Sequence, residues 1–364
     1  MVFNTIDFIQ YLNIAKRNRM NDIAANRAMQ IIATGYAPRD ELREFLLTHA
    51  ISIDGVDAPT LAGLASAVLE CVIPIPEIKW AKKLDIVGTG GGVPTFNIST
   101  AASILLSAVP HAVSDEKLNS LCVTKHGNRA VASKSGSADV LEKLGIKIDL
   151  SPEKNVALLD ETRFAFFFAQ KYHTAFSRVN PIRLELAKQG IRTAFNLIGP
   201  LVNPARANYQ LVGFFSEDKI RLGAETLDKL GVQCAFCVCG TSDDGKAMDE
   251  VSPCGLTRGI MMKESWYVEV EFVPEDFGLK RVPIADLSAA DAETSADMIR
   301  KAFTSPDDYP SITNAILINS AAAILLLTTY GFKTAIEIVT ETLKKGEALK
   351  QLERIVGWMK NNAA

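Results

Sequence analysis

Between Asp85 and Thr100 the chain reads DIVGTGGGVPTFNIST. Leu84, Asp85, Ile86 and Val87 have the apolar character of a buried strand end. Gly88, Gly90, Gly91 and Gly92 follow as a tight turn, and Ala101–Val109 as an apolar helix. A strand that turns through glycines into a helix is a unit of open α/β sheets, and it builds an anion site. Glycine lets the backbone come close with its N–H groups pointing inward, and the helix N-terminus adds partial positive charge. Thr95, Asn97, Ser99 and Thr100 carry short hydroxyl and amide groups able to cap the helix, bind phosphate or meet a metal. The run is not G-x-G-x-x-G and no G-K-[ST] follows, which disfavours dinucleotides and nucleoside triphosphates. A capped strand–helix turn of no special function would share most of these features.

A second polar loop follows a second strand. After Leu121–Thr124 comes KHGNRAVASKSGSADVLEKLGI, with Lys125, His126, Asn128 and Arg129 together and Ser133, Ser135 and Ser137 before a helix at Ala138–Leu144. Ligands of open α/β sheets lie beyond the carboxyl ends of the strands, so the two loops are expected to face one crevice. Further on, GTSDDGKAMDEVSP holds the adjacent acids Asp249 and Glu250 at a strand–loop junction. Mg²⁺ is commonly held by one or two carboxylates plus substrate phosphates, although a solvated acidic loop reads the same way.

The rest of the chain sets the frame. Its 364 residues exceed one typical domain. From Asn4 to about Glu70 the apolar residues keep helical spacing (Phe8, Tyr11, Leu12, Ile14; Met29–Ile32; Leu42, Phe45, Leu46; Leu61, Leu64, Ala65), and Pro74 and Pro76 mark a linker. Lysine plus arginine number 39 against 42 acids, a net charge of −3, which gives no support to a nucleic-acid partner. Asn319 and Ser320 interrupt the longest apolar stretch, Ala315–Tyr330, so it reads as a core helix and no membrane association is expected. The six cysteines are scattered, as in a cytoplasmic protein. Cys234, Cys237 and Cys239 share one apolar strand with no second cluster nearby, and read as core thiols.

Five blocks in order, GTGG…TFNIST (88–100), KHGNR…GSADVLE (125–142), RTAFNLIGPLVNPA (192–205), QLVGFFS (210–216) and DEVSP (249–253), resemble the anthranilate phosphoribosyltransferase family. The resemblance implies a small N-terminal α-helical domain, residues 1–78 completed by about 176–200, beside a larger α/β domain, 79–175 and 201–364. The latter would have a mostly parallel central sheet flanked by helices. It implies transfer of phosphoribosyl from 5-phosphoribosyl pyrophosphate to anthranilate with Mg²⁺, in a homodimer joined through the helical domains. Gly88, Gly91, Thr95, Asn97, Ser99, Thr100, Lys125 and Ser137 would then hold the donor. Gly88, His126, Asn128 and Arg183 would face the acceptor, and Ser99, Asp249 and Glu250 the metal. No acid–base residue is implied; Lys125, His126 and Asn128 would act by positioning. The sequence departs from the family pattern at Gly92, where an aspartate is usual, at Thr174 after His173, in an insertion between Arg183 and Gly190, and in the longer stretch Pro110–Ser120. Three of these departures are expected to lie near the acceptor or reach it, so a different aryl acid or heterocycle is the alternative acceptor. A nucleoside phosphorylase would leave Asp249 and Glu250 without a role. A nucleic-acid-binding relative would be expected to lack them and to carry a basic face.

Overall fold

The computed structural model describes residues 4–17, 20–50, 56–130 and 135–362; Ser133 lies outside them. Four helices come first: α1 (Thr5–Ala15), α2 (Asp22–Thr34), α3 (Arg39–Thr48) and α4 (Ala58–Glu70). Asn4, Asn21 and Asp57 cap α1, α2 and α4 with side-chain oxygens on N3 backbone N–H groups. The apolar residues singled out by spacing pack as one core here, with Phe8, Met29, Phe45 and Leu64 fully buried.

Next come β1 (Lys82–Gly88), α5 (Ile98–Ala112), β2 (Leu121–Gly127), α6 (Ser137–Lys143), α7 (Pro152–Thr162) and β3 (Phe164–Phe168). The short α8 (Ala169–Tyr172), then α9 (Phe176–Lys188) and α10 (Phe195–Leu201), precede β4 (Tyr209–Gly213), α11 (Ile220–Lys229) and β5 (Cys234–Thr241). The short β6 (Ala247–Met248) and the hairpin β7 (Thr257–Lys263) and β8 (Trp266–Phe272) complete the sheet. Helices α12 (Ala292–Thr304), α13 (Pro310–Leu327), α14 (Phe332–Lys344) and α15 (Glu347–Asn362) end the described chain.

The sheet order is β3-β2-β1-β4-β5-β7-β8, with β6 paired to β5. Strands β3, β2, β1, β4 and β5 are parallel, and β7 and β8 are antiparallel additions at one edge. Strand order reverses between β1 and β4, the place where open sheets leave a crevice. Gly88 pairs with Gly213 there, so the two strands end flush. One apolar core covers the face against α5 and α12–α15. A second runs continuously from α1–α4, α9 and α10 onto the face formed by β4, β5 and α11, and a small third gathers around Phe167 and Tyr172.

Several boundaries differ from the sequence expectation. Helix α5 starts at Ile98, so Ser99 and Thr100 sit in its first turn, and it carries Pro110 inside before ending at Ala112. The remainder of the expected Pro110–Ser120 excursion lies at the amino ends of the strands, where Lys82 N–H donates to the Ser120 carbonyl. It is at the end of the sheet away from the glycine turn. Strand β2 runs through Lys125 and His126, which are therefore buried strand residues rather than loop residues. Both faces of a central parallel strand are covered; β1 pairs with it as far as Val123, and β3 on the other side extends the pairing to Gly127. The extra residues after Arg183 lengthen α9 and end in an exposed turn at Gly190, φ +76°.

Helix α13 is long and apolar enough to cross a membrane by length and composition, yet it is a mostly buried helix of the core. Its Asn319 accepts from Val251 N–H at 3.0 Å and donates to the Val251 carbonyl at 2.9 Å. A buried amide with both ends satisfied fixes where this helix sits.

Candidate active site

The glycine turn closes over an acid from the same chain. Gly90 and Gly91 take positive φ, +73° and +91°, which explains glycine there. Gly90 N–H donates to Asp249 Oδ2 at 2.7 Å. A side chain at Gly88 would collide with that carboxylate, and one at Gly213 with the Asp249 backbone, so the acidic segment lies directly on the ends of β1 and β4. Thr95 Oγ1 donates to Glu250 Oε1 at 2.8 Å. Burial raises the Asp249 carboxyl, with Gly90, Gly92 and Arg192 pulling it back; burial and the Asp249 charge push Glu250 up as well. Two adjacent half-buried carboxylates with hard oxygens suit a divalent cation that takes its remaining ligands from phosphate and water. Among the described residues no larger cluster of metal-ligating side chains exists.

Deeper in the crevice, Lys125 Nζ donates to the Ile86 carbonyl at 2.8 Å and to Ser99 Oγ at 3.2 Å. Burial lowers its pKa to about 8, against the pull of Asp85. Asp85, fully buried, accepts from His126 N–H at 3.1 Å and from Asn203 Nδ2 at 2.8 Å, and burial raises it to about 6. Asn203 Nδ2 also reaches the Thr124 carbonyl at 2.6 Å. Asn97 does not cap α5 with its side chain. Its Oδ1 accepts instead from Ser135 and Ser295 hydroxyls at 2.8 and 3.0 Å. The buried Thr100 hydroxyl has no partner. Ser137 Oγ packs where a Gly127 side chain would stand.

The opposite wall is built from β2, α8–α10 and their connections. His126 Nε2 meets His173 Nε2 at 3.2 Å, with the two rings edge-to-face. Burial holds both imidazoles neutral, with His173 lowered to about 4. Asn128 Oδ1 accepts from Gln170 Nε2 at 3.0 Å. Arg183 is on α9; its Nη1 donates to Asn180 Oδ1 at 3.2 Å, its buried Nε has no partner, and burial lowers its pKa.

Direct contacts thus join Gly88, Thr95, Asp249 and Glu250 in one group and Lys125 and Ser99 in another. Arg183 makes no contact with either group. Asp85, Asn203, Ser295, Asn319 and Arg192 were not foreseen as site residues. Asp85 left a trace as the lone acid in an apolar run, and Arg192 and Asn203 lie inside the quoted block 192–205.

Residues 81–349 match a family described as "Glycosyl transferase family, a/b domain". Anthranilate phosphoribosyltransferase of Prosthecochloris aestuarii is 38% identical over 307 residues, covering 83% of this chain and 82% of that protein. The enzyme of the same name from Lactiplantibacillus plantarum is 36% identical over 348 residues, covering 94% and 96%. Among solved structures, anthranilate phosphoribosyltransferase from Thermus thermophilus superposes with a TM-score of 0.83 at 30% identity, covering 96% of this chain and 99% of that one. The Saccharomyces cerevisiae enzyme in complex with PRPP (5-phosphoribosyl pyrophosphate) and Mg gives 0.79 at 25% identity, covering 97% and 98%.

Proposed function

We infer the function from one premise: the chain belongs to the anthranilate phosphoribosyltransferase family. It is a Mg²⁺-dependent glycosyltransferase of tryptophan biosynthesis that moves phosphoribosyl from 5-phosphoribosyl pyrophosphate to anthranilate and releases pyrophosphate. The observation that carries this reading is the pair of half-buried acids set against a glycine turn at the switch point of the sheet.

In the reaction the aryl nitrogen forms a bond to C1′ as the C1′–O bond to pyrophosphate breaks, and a proton leaves the nitrogen. Bound Mg²⁺ neutralises charge on the diphosphate. We assign Asp249, Glu250 and Ser99 to hold it. We assign Gly88, Gly91, Thr95, Asn97, Ser99, Thr100, Lys125 and Ser137 to the donor; the unpartnered Thr100 hydroxyl and the Ser99–Lys125 contact support this. We place Gly88, His126, Asn128 and Arg183 around the acceptor. A half-buried guanidinium on α9 whose Nε lacks a partner suits a carboxylate. An aryl amine is nucleophilic once oriented, so Lys125, His126 and Asn128 need only position the reactants.

We further propose the division into a helical domain, 1–78 with 176–200, and an α/β domain of 79–175 with 201–364, although the apolar core runs across it. Two copies would associate through the helical domain, where Ile6, Ile9 and Ile23 lie exposed on α1 and α2. Free cysteines suit a cytoplasmic location. A product assay with donor, Mg²⁺ and anthranilate, read by mass, tests the reaction; no phosphoribosyl product would overturn it. Light scattering of the wild type and of Ile23→Asp tests the association.

A further inference from the structure

The connection from α9 to α10 crosses the glycine turn and carries Arg192 over it. The guanidinium stacks on the Phe215 ring at 4.2 Å. It lies so close to the turn that a Cβ at Gly91 would stand 2.7 Å from Nη2, and Nη2 reaches the Gly91 carbonyl at 3.4 Å. On the inner side of the same turn Gly90 donates to Asp249. One short turn is therefore flanked by an anion below and a cation above. Among the described residues Arg192 closes no ion pair and it is exposed, whereas Arg129, Arg221 and Arg258 are held by carboxylates. Lys125, a second cation of the crevice, is turned inward onto Ile86 and Ser99.

We propose that Arg192 is a donor-binding residue whose guanidinium holds the outer phosphoryl group of the diphosphate, opposite the cation held by Asp249 and Glu250. The inference rests on the reading of the site given above. A diphosphate with one divalent cation keeps net negative charge, so a site with carboxylates for the cation needs a positive partner for the remaining oxygens. A guanidinium offers parallel N–H donors to such oxygens, and stacking on Phe215 fixes its plane while leaving those donors free. Negative charge grows on the departing pyrophosphate as the C1′–O bond breaks, so the contact strengthens toward the transition state.

Calorimetric titration with inorganic pyrophosphate and Mg²⁺ tests this on the wild type, Arg192→Ala and Arg192→Lys, with anthranilate KM measured in parallel. Arg192→Ala should weaken pyrophosphate binding tenfold or more, Arg192→Lys should recover part of it, and anthranilate KM should stay within twofold. Equal pyrophosphate affinity in wild type and both variants overturns the role of Arg192 and leaves the donor site standing. An equal loss for anthranilate would make the residue a general support of the crevice and overturns the role too. Absence of binding to the wild type removes the diphosphate site itself.

Discussion

The two walls of the crevice differ in how far they are satisfied before any ligand arrives. On the glycine-turn wall the polar groups hold one another: Gly90 with Asp249, Thr95 with Glu250, Lys125 with Ser99, Asn97 with Ser135 and Ser295. On the α9 wall Arg183 has a single contact at 3.2 Å and a buried Nε without a partner. The first wall resembles a preorganised electrostatic site, which spends little on rearrangement when charge develops. The second holds a half-buried cation in reserve for an incoming anion. The contrast suits a reaction whose difficulty lies at the leaving group while its nucleophile needs only to be placed.

Removing charge from the satisfied wall should therefore cost most. Asp249→Asn combined with Glu250→Gln should lower turnover by about two to three orders of magnitude, the scale of losing one preorganised stabilising group. Circular dichroism should report an unchanged fold; retained turnover would break the contrast by showing the first wall to be structural. Arg183→Ala should raise anthranilate KM by roughly 10- to 100-fold, as expected for a charged hydrogen bond of about 1.5–3 kcal/mol. The donor KM should move little, and an equal shift in both would place Arg183 outside the acceptor wall.

The walls were unequally legible in the sequence. Glycines, short hydroxyls and an adjacent acid pair announce the first wall in contiguous runs, because a strand end, turn and helix start are local events. The local pattern places Lys125 and His126 in a loop, whereas their strand character comes from pairing with β3, about forty residues later, which no local pattern records. Asn203 and Arg192 reach the crevice across long sequence separations, Asn203 to Asp85 and Arg192 to Gly91. The unusual Pro110–Ser120 stretch drew attention to the acceptor but lies at the far end of the sheet.

Acid should sharpen the contrast from the other side. His126 and His173 are buried neutral, with folded pKa values below the unfolded value near 6.5. The unfolded chain therefore binds more protons as pH falls below 6.5, and stability declines, by up to about 2 kcal/mol per histidine between pH 6.5 and 5. His173→Gln cannot titrate, so its denaturation midpoint should fall less steeply over that range. A slope equal to the wild type would show that His173 titrates alike in the folded and unfolded chain. The smallest effect belongs to the insertion: deleting Ala187–Gln189, at the exposed end of α9, should change either KM by no more than about twofold, in line with substitutions away from packed or charged features.

Asn319 grips both backbone groups of Val251, the residue after the acid pair, from the middle of the buried helix α13. The carboxylates are thus moored to the interior rather than to a surface loop. Heating should then silence the enzyme and melt the molecule together, with no earlier fraying of the metal side.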